Sequence, residues 1–180
     1  MTINRMLKII HICLLRDGFK RAEYLKKKHT FAHMGDKCFW QPRNIPPEAE
    51  LIRIGNNVVI ASEVLFVNHD VMNIMFNGME ETKSYAIHVG AIEIGDNVFI
   101  GSRCIILPGT KIENNVIIGA GAVVTGLLEQ GGVYAGVPAK RIGEFDVIMK
   151  SRKNTIPTSN KHERFEMAWK NFRKKYGDES

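Results

Sequence analysis

In the run IGDNVFIGSRCIILPGTKIENNVIIGAGAVVT, a branched aliphatic residue returns at every sixth position: Ile94, Ile100, Ile106, Ile112, Ile118 and Val124. A period of six is neither the 3.6 of a helix nor the alternation of a long strand. It fits a parallel β-helix of hexapeptides, in which each hexad supplies a short strand and a corner. Three hexads close a triangular coil, so residues eighteen apart stack: Ile94 with Ile112, Ile100 with Ile118, Ile106 with Val124. Only stacked coils bury such a column. Four residues after each aliphatic comes a smaller side chain, at Val98, Cys104, Thr110, Val116 and Ala122. Gly95, Gly101 and Gly119 permit close backbone approach at corners. Asp96-Asn97 and Asn114-Asn115 are residue types that tolerate left-handed backbone, and their spacing predicts ladders along the axis.

The chain has 180 residues, 44% of them hydrophobic, which suits one globular domain with terminal additions. Upstream, Ile54-Gly55-Asn56-Asn57-Val58, Ile60, Val64 and Phe66 repeat the hexad grammar, which stops at Asn68-His69-Asp70. Ile54 and Ile94 are forty residues apart, not a multiple of six, which puts the two blocks out of phase and implies an insertion. Residues 71–89, with the turn pair Asn77-Gly78, are expected to protrude as a loop. Before Ile54 the rhythm is irregular, with Met34-Gly35-Asp36 and Trp40 as candidate corners and Pro42, Pro46 and Pro47 interrupting it.

Ile3, Leu7, Ile10 and Leu14 have helical spacing, so residues from about Asn4 to Lys28 read as one or two amphipathic helices covering the open end of the coil. After Thr125 the pattern ends in Gly126 and Gly131-Gly132, followed by an extended stretch to Arg141. A polar linker, 150–160, carries Pro157 and leads to a helix, 161–176, with Phe165, Trp169, Phe172 and Tyr176 on one face. The organisation expected is a helical cap, 1–30, a β-helix domain, 31–142, with the inserted loop 71–89, and a linker with a C-terminal helix, 143–180.

The net charge of +6 is concentrated at the two ends, with Arg16, Lys20, Arg21 and Lys26 to Lys28 at one and Lys150, Arg152, Lys153, Lys170 and Arg173 to Lys175 at the other. Phosphate-bearing ligands suit such clusters. No interleaved aromatic surface or recognised module points to nucleic acid. Three cysteines without CxxC spacing argue against a disulfide framework or zinc knuckle and fit a reducing cytoplasm. The early apolar run is broken by Lys8 and His11, lacks a cleavage site and is too short to span a bilayer, so a cytoplasmic protein with no membrane span is expected.

His69 stands where a coil breaks into the insertion, beside Asp70, with Glu80 and Glu81 in the same excursion. Imidazole suits proton removal from a hydroxyl near neutral pH, and a carboxylate beside it holds its tautomer. Cys104 occupies an inward position and reads as a small buried hydrophobe, and no serine or cysteine has the partners of a triad. His11, His29, His33, His88 and His162 show no spacing of a metal cage, so no metal is expected.

Taken together, the hexads from Ile94 to Thr125, the NHD at 68–70 and the closing AGVPAKRI at 135–142 resemble the hexapeptide-repeat acyltransferases, especially the galactoside, maltose and nodulation-type O-acetyltransferases. The resemblance covers about Ile54 to Ile142. It implies a left-handed parallel β-helix that is mainly β, a homotrimer, and acetyl-CoA as acyl donor in the cleft between subunits. It implies that His69 is the general base of a direct transfer to a hydroxyl of a sugar, a polysaccharide precursor or a small xenobiotic. The acidic partner maps to Glu80 or Glu81, with Asp70 a further candidate. The Ser102 amide maps to the oxyanion donor, Ala120 and Thr125 to the CoA arm, with Gly126 where Lys is frequent, and Lys140 to a phosphate-binding position that Arg141 can support. Phe99 stands for the common Trp and Gly143 for a second Arg.

Alternative readings are an N-acetyltransferase on an amino-sugar nucleotide, which shares fold and cofactor, and a non-catalytic β-helix scaffold. A γ-type carbonic anhydrase needs three zinc histidines, and His69 and His88 lack the third.

Overall fold

The expected stacking sets the architecture, because each hexad becomes a strand of two or three residues that pairs with the strand one coil further on. The computed structural model describes residues 3–153 and 160–177. On the first side β1 (His33–Met34), β3 (Ile52–Ile54), β8 (Ile92–Ile94), β11 (Lys111–Ile112) and β14 (Leu127–Leu128) form a parallel sheet in that order. The second side carries β2 (Phe39–Trp40), β4 (Val59–Ile60), β9 (Phe99–Ile100), β12 (Ile117–Ile118) and β15 (Gly132–Ala135), closed by antiparallel β16 (Lys140–Glu144). The third side has β5 (Leu65–Phe66), β10 (Ile105–Ile106) and β13 (Val123–Val124). Ile94 pairs with Ile112, Ile100 with Ile118 and Ile106 with Val124, the registers read from the hexads.

Inside the coil these aliphatics form columns. Ile54, Ile60, Ile100, Ile106, Ile112, Ile118 and Val124 are buried, and so is every smaller residue four positions on, from Val98 to Ala122. The corner ladder is also present. Asp36 N–H donates to Asn56 Oδ1 (2.9 Å), Asn56 N–H to Asp96 Oδ1 (2.6 Å) and Asp96 N–H to Asn114 Oδ1 (2.7 Å). Beside it Asn57, Asn97 and Asn115 have φ of 54°, 57° and 57° and pass side-chain amide bonds from one to the next. Asparagine fits because it accepts left-handed backbone and its amide both donates and accepts.

Several expectations change. Ile54 and Ile94 lie in register rather than out of phase. The forty-residue step contains a full coil of eighteen plus an excursion of twenty-two, closed at its neck by Gly90 N–H to Asn68 O (2.7 Å) and Asn68 Nδ2 to Gly90 O (3.1 Å). The excursion is no plain loop: β6 (His69–Asp70) pairs antiparallel with β7 (His88–Val89), and Met72–Met79 form helix α3, which contains the supposed turn Asn77-Gly78. The Asp70 carboxylate accepts from Met72 N–H and starts that helix. Trp40 is no corner; it is a fully buried inward residue, stacked on Phe66 at 5.8 Å. The repeat does not end at Thr125, since Ile112 pairs with Leu128 and Ile118 with Tyr134 in a further, slightly shorter coil.

At the N-terminus α1 (Ile3–Leu14) precedes α2 (Gly18–Lys27), which packs against β2 through buried Ala22 and Leu25. Ile3, Leu7, Ile10 and Leu14 face outward, contrary to the sequence reading, because α1 buries its opposite side through Ile12. Arg21 is a buried strut rather than a surface cation. Its guanidinium donates to Trp40 O (2.8 Å), Leu15 O (2.6 Å) and Gln41 Oε1 (2.7 Å), and burial, with Arg43 nearby, lowers its pKa. Met1–Val147 form one compact unit and Ile148–Ser180 a second. Helix α4 (Phe145–Lys153) begins before the expected polar linker and runs into its first residues, the linker's Pro157 lies outside the described residues, and α5 (Lys161–Tyr176) exposes Phe165, Trp169, Phe172 and Tyr176.

If the buried columns carry the stability, Ile100→Ala should lower unfolding free energy by about 2–5 kcal/mol, the usual range for emptying a packed aliphatic site, while exposed Lys111→Ala should stay within ~0.5 kcal/mol. Urea midpoints of the two variants check this, and equal midpoints would contradict it.

Candidate active site

His69 is fixed from two directions. Its backbone lies in β6, opposite Val89, at the neck that Asn68 and Gly90 close. Its side chain meets Glu48, with Nδ1 to Oε2 at 2.8 Å and both groups about one-third exposed. A carboxylate oxygen accepts, so Nδ1 carries the hydrogen and Nε2 of the neutral ring keeps a free lone pair. That arrangement sets the tautomer and leaves Nε2 able to accept a proton.

The contact of His69 is with Glu48 and not with the carboxylates expected beside it. Glu80 Oε1 accepts from Tyr85 Oη (2.9 Å), which keeps the phenol protonated by raising its pKa. Glu81 is exposed, with φ 49°, just after α3, and Asp70 accepts from Met72 N–H at the start of that helix. Glu48 was not singled out in the sequence because it follows Pro46-Pro47 in a stretch with no hexad rhythm. The signal that could have found it is the coil itself: if Met34 and Trp40 belong to a first coil, residues 41–51 must cross its third side, beside the strand that leads to His69.

The other predicted residues lie along the corners and the last strand. Ser102 and Ala120 share a corner in successive coils, tied by Gly121 N–H to Ser102 O (2.8 Å). Gly101 lies directly under this stack, and a Cβ there would sit 2.5 Å from Ala120 N. Among the described residues the Ser102 N–H donates no hydrogen bond, which leaves a free amide beside exposed Ala120. Thr125 and Gly126 are exposed at the next corner, Gly126 with φ 70°. Lys140 and Arg141 start β16, opposite Ala135 and Tyr134. They differ: Arg141 Nη2 is 2.7 Å from Glu144 Oε2, a contact that raises the pKa of Arg141 and lowers that of Glu144. Lys140 is exposed and forms no ion pair among the described residues. No hydrogen bond or ion pair within the described chain joins His69 to any of these groups. Nor does any group of three His, Cys, Asp or Glu side chains converge among the described residues, and no helix there is long and apolar enough to cross a membrane.

Residues 91–126 match the bacterial transferase hexapeptide (six repeats) family model. Galactoside O-acetyltransferase of Escherichia coli is 38% identical over 97 residues, covering 53% of this chain and 45% of its own. A protein assigned by name to lipopolysaccharide biosynthesis as an O-acetyl transferase, WbbJ of Escherichia coli, is 32% identical over 102 residues, covering 54% and 52%. The chain thus spans about half the length of the curated relatives it matches. Among solved structures, a hexapeptide-repeat-containing acetyltransferase of Vibrio cholerae complexed with acetyl coenzyme A superposes with a TM-score of 0.54 at 19% identity, over 78% of this chain and 85% of that one.

The cysteines stand apart from this chemistry. Cys38 and Cys104 are buried, and burial pushes both thiols up from their ordinary pKa, so they stay protonated where an exposed thiol begins to ionise. Cys13 is exposed. At pH 8 iodoacetamide should therefore alkylate Cys13 alone in the folded protein and all three cysteines after denaturation, as read by mass spectrometry. Labelling of Cys104 without unfolding would contradict this placement.

Proposed function

From a chain whose residues 91–126 are a bacterial transferase hexapeptide repeat, we propose an acetyl-CoA-dependent O-acetyltransferase acting on a hydroxyl of a sugar, a polysaccharide precursor or a small hydroxylated compound. In this proposal the β-helix is left-handed and assembles as a homotrimer. The observation that carries the reading is the His69–Glu48 contact at the coil break, 2.8 Å long, in a chain related to named O-acetyltransferases.

The donor's pantetheine arm finds a fit at the corner of Ser102 and exposed Ala120, where the side chains are small and the Ser102 N–H donates no hydrogen bond among the described residues. Lys140, free of carboxylate partners, suits a phosphate, whereas Arg141 would first have to leave Glu144. His69 Nε2 takes the proton of the acceptor hydroxyl as that oxygen attacks the thioester carbonyl. Glu48 holds the ring and stabilises the imidazolium that forms. The Ser102 amide faces the negative charge that develops on the carbonyl oxygen, a role worth about 2.7–4 kcal/mol where such donors have been removed. As the C–S bond breaks, the proton passes from His69 to the departing thiolate, which leaves acetyl ester and free CoA thiol with no acyl-enzyme.

His69→Ala should lower kcat by roughly 10²–10⁴-fold, the usual worth of general acid–base help, with acetyl-CoA affinity nearly unchanged. Turnover at the wild-type rate would overturn the assignment. A separate variant, Lys140→Ala, should weaken binding of acetyl-CoA more than of a donor lacking the 3′-phosphate, as measured by calorimetry; equal losses would remove Lys140 from phosphate binding.

A further inference from the structure

Two sides of the coil begin with a strand from the first turn, and the third does not. Gly35 N–H and Gln41 N–H, next to β1 and β2, donate to Ile54 O and Ile60 O. On the third side β5 is the outermost strand; Leu65 N–H and Val67 N–H donate to Cys104 O and Ile106 O. Successive peptide groups along a strand point to opposite edges, so the N–H and C=O of Val64 and Phe66 face the place where a first-turn strand would lie. Residues 41–48 cross that place without pairing. Pro42, Pro46 and Pro47 have no N–H to donate, and among the described residues no backbone hydrogen bond joins this segment to β5. Between residues 41–44 and 62–65 there remains a groove of about 610 Å³.

Its walls mix the groups a saccharide uses. Leu65, 45% exposed, offers an apolar surface for a sugar's C–H face. Around it are the Asn44 amide and the Ser62 hydroxyl, with no hydrogen-bond partner among the described residues, and the peptide groups of the open edge, able to donate and accept. Both walls lead to the candidate base. His69 lies four residues beyond Leu65 and Glu48 four beyond Asn44, so each is reached within at most ~14 Å of extended chain. We propose that this groove holds the sugar units beyond the reacting ring, and hence that the acceptor is an oligosaccharide chain. The proposal rests on the acetyltransferase reading above.

The test compares acetyl transfer to galactose, lactose and a galactotetraose, and to glucose, maltose and maltotetraose, by wild type, Asn44→Ala and Leu65→Arg. In at least one series wild-type kcat/KM should rise about tenfold or more from the monosaccharide to the tetrasaccharide, the worth of ~1.4 kcal/mol of added binding. Leu65→Arg should lose that gain while keeping the monosaccharide rate, and Asn44→Ala should lose part of it. Indifference to chain length, or an undiminished gain in Leu65→Arg, would overturn the groove and leave the acetyltransferase reading standing. If none of these sugars is acetylated, the acetyltransferase reading loses them as acceptors, and calorimetry with the two tetrasaccharides decides the groove: binding to wild type but not to Leu65→Arg supports it, and no binding overturns it. A Leu65→Arg protein that sediments at a different mass from wild type would assign the groove to subunit contact instead, and would also overturn it.

Discussion

Each coil hands its amides to the carbonyls of the next, and the rest of the structure depends on that transfer. Gly95 N–H reaches Ile112 O at 2.8 Å, Phe99 N–H reaches Val116 O at 2.9 Å and Leu107 N–H reaches Val124 O at 2.9 Å, one such bond on each side of the triangle. A strand of two residues has little stability alone, so its partners must be supplied by neighbours in both directions. The requirement fixes the eighteen-residue step, the aliphatic columns and the asparagine ladder together. It also explains the glycines at 35, 55 and 101, where a Cβ would lie 2.5, 2.6 and 2.5 Å from backbone of the following coil.

The candidate base and its carboxylate partner lie where that transfer is interrupted. After Phe66 the chain leaves the coil for twenty-two residues, and His69 stands at the exit, held by the β6–β7 ribbon. After Trp40 the prolines prevent a third strand, and the segment that replaces it brings Glu48 to His69. The two interruptions meet on the same side of the coil.

The hexads were legible because each inward position is restated several times along the chain. Ile100, for example, is predicted by Ile60 before it and Ile118 after it, and all three lie in one column. Trp40 belongs to that column too, but a single aromatic at the start of an irregular turn carries no such repetition. Helix α3 was hidden by Asn77-Gly78, a turn signal that tertiary contacts override: Asn77 instead bonds Tyr85 through both its amide and its carbonyl oxygen. His69 was readable from its place at a break in the pattern. Glu48 was not, because its neighbour is set by which strand is missing, and that depends on the whole first turn.

If Glu48 acts through His69, a double-mutant cycle on the two residues shows it. Turnover with a productive acceptor would be compared for wild type, Glu48→Ala, His69→Ala and the double variant. If Glu48 serves only to orient and stabilise the imidazole, its removal should cost nothing once His69 is absent, so that the double variant turns over at the rate of His69→Ala. Losses that multiply, with the double variant slower than His69→Ala by the full Glu48→Ala factor, would show two independent roles and contradict the account.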